Sequence, residues 1–121
     1  MALRILAFAG STRKGSFNRQ ALEHAVRGAR EAGAEVTVID LNEYPLPIYN
    51  GDLEESHGLP SSAVRLKDLF KSHHGLLLAC PEYNGSITPL LKNTLDWVSR
   101  PNGEESGLVP YQGKWAALVA A

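Results

Sequence analysis

Residues 3–18 carry the sequence LRILAFAGSTRKGSFN, in which an apolar run, a polar loop and the start of an apolar stripe follow one another. The segment 3–9 is almost continuously apolar, as is typical of a strand in a parallel sheet that is covered on both faces. The following apolar side chains recur at steps of four and one, which predicts one buried helical stripe: Phe17, Ala21, Leu22, Ala25, Val26 and Ala29. The sequence therefore predicts a strand, a polar loop and a helix, with Ser16 or Asn18 as the helix N-cap.

The alternation of strands and helices continues along the chain. Short apolar or β-branched runs predict three further strands, at residues 35–40, 76–80 and 115–121. Apolar residues at helical spacing predict two more helices, at residues 61–70 and 89–98. Ser61 or Ser62 is expected to cap the first of these, and Pro89 suits the first turn of the second. Residues 41–60 are rich in Pro, Gly and Asn and predict a long loop.

Strands that alternate with helices are joined by right-handed crossovers and form a parallel sheet with helices on both faces. We therefore predict an α/β doubly wound parallel sheet. The chain has 121 residues without a repeat, a low-complexity tract or an interdomain linker. Residues 1–121 are expected to form a single domain.

Composition narrows the classes of function. The 12 basic and 13 acidic residues give a formal charge of −1, so no basic face is available to grip a nucleic acid. A single cysteine, Cys80, cannot close an intrachain disulfide and is typical of a reducing compartment, so we expect a cytoplasmic location. The longest early apolar run is too short for a membrane span or a signal sequence. We expect neither a nucleic acid nor a membrane as partner.

The loop after the first predicted strand is a candidate anion site. A helix N-terminus presents free backbone N–H groups and a partial positive charge. Ser11, Ser16 and Asn18 add neutral donors, and Arg13 adds a charged one, so the loop suits a terminal phosphate. Both the Walker A sequence and the G-x-G-x-x-G dinucleotide fingerprint are absent. Ordinary N-capping and turn chemistry is the alternative reading of this loop.

A second polar loop, residues 81–86, follows the predicted strand at residues 76–80. In a sheet of order 2-1-3-4-5 the two loops border the crevice where ligands of such folds bind. Its proline, tyrosine and glycine would let a flat ring approach the backbone. The alternative is a plain strand-to-helix turn in which Tyr83 only packs.

The two loops and the helix after the second loop resemble the NADPH-dependent FMN reductase family of flavodoxin-like proteins. The resemblance rests on five segments: GSTR at residues 10–13, SFN at 16–18, PEYNGS at 81–86, LKN at 91–93 and DW at 96–97. The resemblance implies FMN, with its phosphate region bound by Ser11, Arg13, Ser16, Phe17 and Asn18. It implies that the isoalloxazine ring is lined by Pro81, Glu82, Tyr83, Asn84, Gly85 and Ser86.

The resemblance also implies a function and an assembly. We expect an FMN-dependent oxidoreductase that uses NADPH or NADH to reduce a small acceptor: a quinone, a free flavin, an azo compound or a metal oxyanion. The flavin carries the chemistry, so no catalytic side chain and no metal ligand is predicted. A homodimer or tetramer is implied, in which the partner completes the flavin pocket. The alternative is a flavodoxin-like electron carrier without its own turnover, although such carriers tend to be strongly acidic.

The family has a further glycine-rich loop, a fifth strand and two helices beyond the fourth strand, whereas this sequence ends at Ala121. We therefore expect a sheet that stops at its fourth strand, with that strand as an uncovered apolar edge.

Two single residues have open roles. Trp97 either stacks on a ring across a dimer interface or fills the core, and Asp40 is expected to be a turn residue.

Overall fold

The computed structural model describes residues 2–121. Its single sheet has four parallel strands in the order β2-β1-β3-β4, formed by β1 (Arg4–Ala9), β2 (Glu35–Val38), β3 (Gly75–Ala79) and β4 (Trp115–Val119). The central strands β1 and β3 pair over five residues, with Phe8 opposite Leu78. This order confirms the predicted doubly wound sheet, in which the strand order reverses between β1 and β3.

Helices cover both faces of the sheet. The helices are α1 (Phe17–Glu31), α2 (Gly51–His57), α3 (Ser61–Ser72) and α4 (Pro89–Val98). On one face, Leu22 and Val26 of α1 pack against alternate residues of β1 and β3. On the other face, α3 and α4 bury Leu66, Phe70 and Leu91 against Leu6, Phe8 and their neighbours. Because side chains of a strand alternate between faces, one continuously apolar strand such as β1 supplies both cores.

The segment 41–60, predicted as a long loop, is more ordered than its composition indicated. It contains a 3₁₀ turn (Leu41–Glu43) and the seven-residue helix α2. The Asn50 side chain caps α2 by accepting from the Asp52 N–H at 2.9 Å, and this capping prevails over the surrounding Pro and Gly residues. The prediction that Ser61 or Ser62 caps α3 was wrong, since Pro60 occupies the N-cap position and no side chain caps that helix.

Trp97 fills the core and fixes the segment before α2. Its side chain is fully buried, and its indole N–H donates to the Pro47 carbonyl at 2.7 Å. Asn93, also on α4, donates to the same carbonyl at 2.9 Å and accepts from the Tyr49 N–H at 2.8 Å. The core reading of Trp97 is therefore correct, and α4 holds residues 47–49 in place.

Strand β4 is the edge of the described sheet and pairs with β3 alone. Its apolar side chains are open to solvent, with Leu118 67% and Trp115 41% exposed. An uncovered apolar edge is what the sequence predicted for the fourth strand.

In residues 2–121, no helix is both long enough and apolar enough to cross a membrane.

Candidate functional site

The two polar loops leave neighbouring strands at the same edge of the sheet. The Gly10 N–H donates to the Ala79 carbonyl at 2.8 Å, and the Cys80 N–H donates to the Val119 carbonyl at 2.8 Å. The ends of β1, β3 and β4 are thus level with one another. The phosphate loop (residues 10–18) and the ring loop (residues 80–88) therefore start side by side, as the strand order requires.

The phosphate loop presents donors that the protein itself does not use. Among residues 2–121, the N–H groups of Phe17, Asn18 and Arg19 at the start of α1 have no backbone acceptor. Ser16 occupies the N-cap position, but its side chain makes no cap hydrogen bond. Ser16 is thus the N-cap residue that the sequence predicted, but without a side-chain cap bond. Asn18, the alternative, lies in the first turn, where its Oδ1 accepts from the Ala121 N–H at 3.3 Å. The three N–H groups at the start of α1 therefore remain available to a ligand.

Arg13 adds a positive charge to the same place. Its side chain is exposed, and within the described chain its guanidinium has neither a hydrogen bond nor an ion pair. The backbone around it is nonetheless fixed, because the Arg13 N–H donates to Ser11 Oγ at 3.2 Å and the Arg13 carbonyl accepts from the Ser16 N–H at 3.2 Å. A free guanidinium on an ordered turn suits an anionic oxygen.

The ring loop is a tight two-residue hairpin. The backbones of Tyr83 and Ser86 pair through hydrogen bonds of 2.9 and 3.1 Å. Asn84 and Gly85 form the turn with positive φ angles of 53° and 81°, the conformation that Asn-Gly pairs favour. The Glu82 carboxylate accepts from the Gly85 N–H at 2.9 Å. The hairpin leaves the Tyr83 side chain 55% exposed.

The two loops enclose a cleft of about 330 Å³. Its walls are formed by Ser11, Arg13, Lys14, Gly15, Ser16, Phe17, Asn18, Pro81, Tyr83 and Ala121. A smaller recess of about 240 Å³ continues from it between residues 10–13 and the start of α4. All five predicted residues of the phosphate loop thus meet Pro81 and Tyr83 in one cleft. The remaining four, Glu82, Asn84, Gly85 and Ser86, lie in the hairpin turn rather than on the cleft wall.

Sequence reasoning missed Thr88, which joins the two loops. The Thr88 hydroxyl is buried, donates to the Gly10 carbonyl at 2.7 Å and accepts from the Leu91 N–H at 3.1 Å. A threonine directly before a proline at a helix start is a recognisable N-cap signal. The bond to Gly10, however, joins residues 78 positions apart and has no local signature.

Other candidate groups lie outside the cleft. Asp40 accepts from the Asn42 N–H at 2.9 Å and pairs with Arg19 at 3.3 Å, so it is the turn residue that the sequence predicted. Burial raises the pKa of the Cys80 thiol, which keeps it protonated and unreactive at neutral pH. Residues 2–121 contain no group of three or more His, Cys, Asp or Glu side chains placed to hold a metal ion.

A larger groove of about 550 Å³ runs between α1 and β2. Its floor includes Leu22 and Val26, and its rim is formed by charged side chains of α1. One of these, Arg30, donates to the Val36 carbonyl of the edge strand at 2.9 Å. The groove contains no residue of either loop, and ligands of open α/β sheets bind at the strand ends where the order reverses. We therefore assign the site to the smaller cleft.

The fold and the cleft define a class of protein: a flavodoxin-like α/β domain with a polar cleft at the β1/β3 switch point. Within that class, residues 3–121 match the family model for NADPH-dependent FMN reductases, and the chain belongs to this family.

Three similar proteins align with nearly the whole of this chain. An NAD(P)H-dependent FMN reductase of Pseudomonas aeruginosa is 35% identical over 119 residues, which cover 98% of this chain and 60% of that protein. A 2-hydroxy-1,4-benzoquinone reductase of a Burkholderia species is 38% identical with the same coverage. The solved structure of the flavoenzyme NAD(P)H:(acceptor) oxidoreductase FerB from Paracoccus denitrificans superimposes with a TM-score of 0.76 at 32% identity, over 98% of this chain and 60% of that one. The chain thus spans about 60% of the length of these relatives.

Proposed function

We propose that residues 1–121 form the FMN-binding domain of an FMN-dependent NAD(P)H oxidoreductase. The observation that carries this proposal is the convergence of uncommitted phosphate donors and an exposed aromatic ring in one cleft at the switch point. When bound, FMN would accept a hydride from NADPH or NADH and pass the electrons to a small acceptor. The protein's part is to bind, orient and shield the flavin.

The chemistry of the donor set fits a phosphate monoester. The free N–H groups at the start of α1 and the Ser16 hydroxyl, which makes no cap hydrogen bond, supply neutral donors. Arg13 supplies the charge that balances a dianion, and charge-assisted hydrogen bonds are roughly twice as strong as neutral ones. The positive end of the α1 dipole acts in the same direction.

The ring loop fits a flat aromatic ligand. Pro81 and Tyr83 stand on the cleft wall opposite the phosphate loop, and Asn84, Gly85 and Ser86 turn the chain away behind them. We propose that Pro81 and Tyr83 contact the isoalloxazine ring and that the hairpin backbone supports them.

The names of the relatives favour quinones as the acceptor class. A free flavin, an azo compound or a metal oxyanion would use the same exposed face. One open face would serve first the nicotinamide and then the acceptor.

We further propose a cytoplasmic homodimer or tetramer. Phe17, on the cleft wall, is 75% exposed, and a partner subunit that completes the cleft would cover it. The single cysteine is typical of a reducing compartment. Sedimentation equilibrium tests the assembly, and a protein that stays monomeric at micromolar concentration would contradict it.

Anaerobic stopped-flow spectroscopy tests the function. The purified protein is loaded with FMN and mixed with NADPH, and then with a benzoquinone. We expect rapid bleaching of the flavin absorbance, followed by its full return. Slow bleaching with normal FMN binding would indicate an electron carrier instead, and failure to bind FMN would reject the flavoprotein assignment.

A further inference from the structure

The phosphate loop and the ring loop are joined by one buried side chain. The Thr88 hydroxyl donates to the Gly10 carbonyl at 2.7 Å, and Thr88 is only 2% exposed. In the described chain this is the only side-chain hydrogen bond between residues 10–18 and residues 80–88. The hydroxyl has a single proton, and this bond uses it.

The same hydroxyl is also the N-cap of α4. Its oxygen accepts from the Leu91 N–H at 3.1 Å, so the orientation of the hydroxyl is determined from both sides. The direction of the Gly10 carbonyl is thereby tied to the start of α4. Because a peptide group is planar, fixing that carbonyl also fixes the following N–H of Ser11, at the entrance of the phosphate loop.

Close packing at this joint limits other arrangements. A Cβ added to Gly10 would lie 3.3 Å from Thr88 Oγ1 and 3.1 Å from Leu91 Cβ. The backbone of the phosphate loop therefore approaches α4 as closely as a glycine allows. The joint leaves little room for the two loops to slide past each other.

We infer that Thr88 is a positioning residue for the cofactor, which keeps the two loops at the separation needed to engage both ends of FMN. This inference rests on the proposed function. Thr88 acts through the Gly10 peptide: it lines the smaller recess beside α4 and not the wall of the main cleft. Loss of the hydroxyl would leave the Gly10 carbonyl unpaired and release the phosphate loop relative to the ring loop.

The test compares Thr88→Val, which keeps the shape of the side chain, with Thr88→Ser, which keeps the hydroxyl. We expect Thr88→Val to weaken FMN binding by about tenfold. Riboflavin, which engages the ring loop alone, should lose at most about twofold by the same reasoning. Thr88→Ser should restore FMN affinity to within about twofold of the unmodified protein. Isothermal titration of the apoprotein with FMN and with riboflavin measures each value.

Asn50→Ala is the matched control, because Asn50 caps α2 through an equivalent bond to Asp52 and touches neither loop. It should lower the free energy of unfolding in urea without changing FMN affinity. If Thr88→Val binds FMN as tightly as the unmodified protein, or if Asn50→Ala weakens FMN equally, the positioning role is wrong. If Thr88→Val does not fold, Gly10→Ala crowds the same joint, and unchanged FMN affinity in that variant would overturn the inference. Failure of the unmodified protein to bind FMN would instead reject the proposed function.

Discussion

Ser16 shows how a residue can be placed correctly by sequence while its role differs. Its position after a polar loop and before an apolar stripe predicts an N-cap, and it does stand at the N-cap of α1. Its hydroxyl nevertheless makes no cap bond, because the side-chain rotamer that decides this is not encoded in the pattern. The pattern could place Ser11, Arg13 and Ser16 in one loop, but only the structure shows that their donors are uncommitted.

Ser16→Ala separates capping from ligand binding. An N-cap serine replaced by alanine ordinarily costs about 1 kcal/mol of stability. Here no cap bond is lost, so the free energy of unfolding should change by less than about 0.5 kcal/mol. FMN affinity should still fall roughly threefold to tenfold, since one hydrogen bond to the phosphate is lost. Urea unfolding and FMN titration measure the two effects, and a variant that is destabilised by a full kilocalorie would show that Ser16 caps α1 in solution.

Arg13→Ala tests the charged donor. A hydrogen bond to a charged group contributes about 1.5 to 3 kcal/mol, so FMN binding should weaken by roughly tenfold to a hundredfold. Riboflavin has no phosphate, and its affinity should barely change. Arg27→Ala removes the same charge from the exposed outer side of α1 and should leave both affinities unaltered. Equal losses for FMN and riboflavin in Arg13→Ala would contradict the phosphate assignment.

At the scale of elements, strands and long helices were predictable, and the connections between them were not. The strands of β1 and β3 and the stripe of α1 follow from continuous and periodic apolar residues. Helix α2 has seven residues and buries none of them, so its sequence shows no apolar stripe that would predict a helix. Tertiary hydrogen bonds stabilise it instead. Arg100, which follows the end of α4, donates from Nε to both carboxylate oxygens of Glu54 at 3.0 Å. No local pattern predicts such a contact.

Glu54 links α2 to the end of α4 in a pH-dependent way. Hydrogen bonding from Arg100 holds the pKa of the Glu54 carboxyl below its ordinary value of about 4.5. The unfolded chain therefore binds this proton more readily, so the pair's contribution to stability is present above pH 4.5 and is lost as pH falls through the folded-state pKa. We expect the difference in unfolding free energy between the unmodified protein and Glu54→Gln to shrink on acidification. Urea titrations at pH 7 and at successively lower pH measure it, and a constant difference would exclude this linkage.

Gly107 shows the packing constraint at the end of α4. A Cβ at this buried glycine would overlap the Ser99 carbonyl oxygen and lie 3.1 Å from the Arg100 carbonyl carbon. Backbone atoms cannot move aside cheaply, so Gly107→Ala should destabilise the fold by about 1 to 3 kcal/mol. Gly28→Ala, in the middle of α1 with open space around it, should instead stabilise by about 0.5 to 1 kcal/mol. Thermal or urea unfolding of both variants checks the opposite signs, and two changes of the same sign would refute this account of the packing.

At the scale of the whole molecule, the strand order makes the site. Neither loop identifies a ligand alone. The reversal of the strand order between β1 and β3 brings Arg13 and Tyr83 to one cleft. The alternation of strands and helices predicted a doubly wound sheet, and the convergence of the loops followed for the strand order 2-1-3-4, which the structure shows. Two other features depend on side-chain hydrogen bonds, which the periodicity of apolar residues does not predict. They are the bond from Thr88 to the Gly10 carbonyl and the bond from the Gly85 N–H to Glu82 in the hairpin turn.

We propose that the phosphate loop and the ring loop hold FMN together, and amide hydrogen exchange with and without FMN measures the contribution of each loop. The free N–H groups of Phe17, Asn18 and Arg19 should become strongly protected when FMN is added, together with the amides of residues 82–88 in the ring loop. The groove between α1 and β2, lined by residues such as Arg27 and Val38, should exchange at an unchanged rate. Protection confined to that groove, or to one loop without the other, would contradict the account.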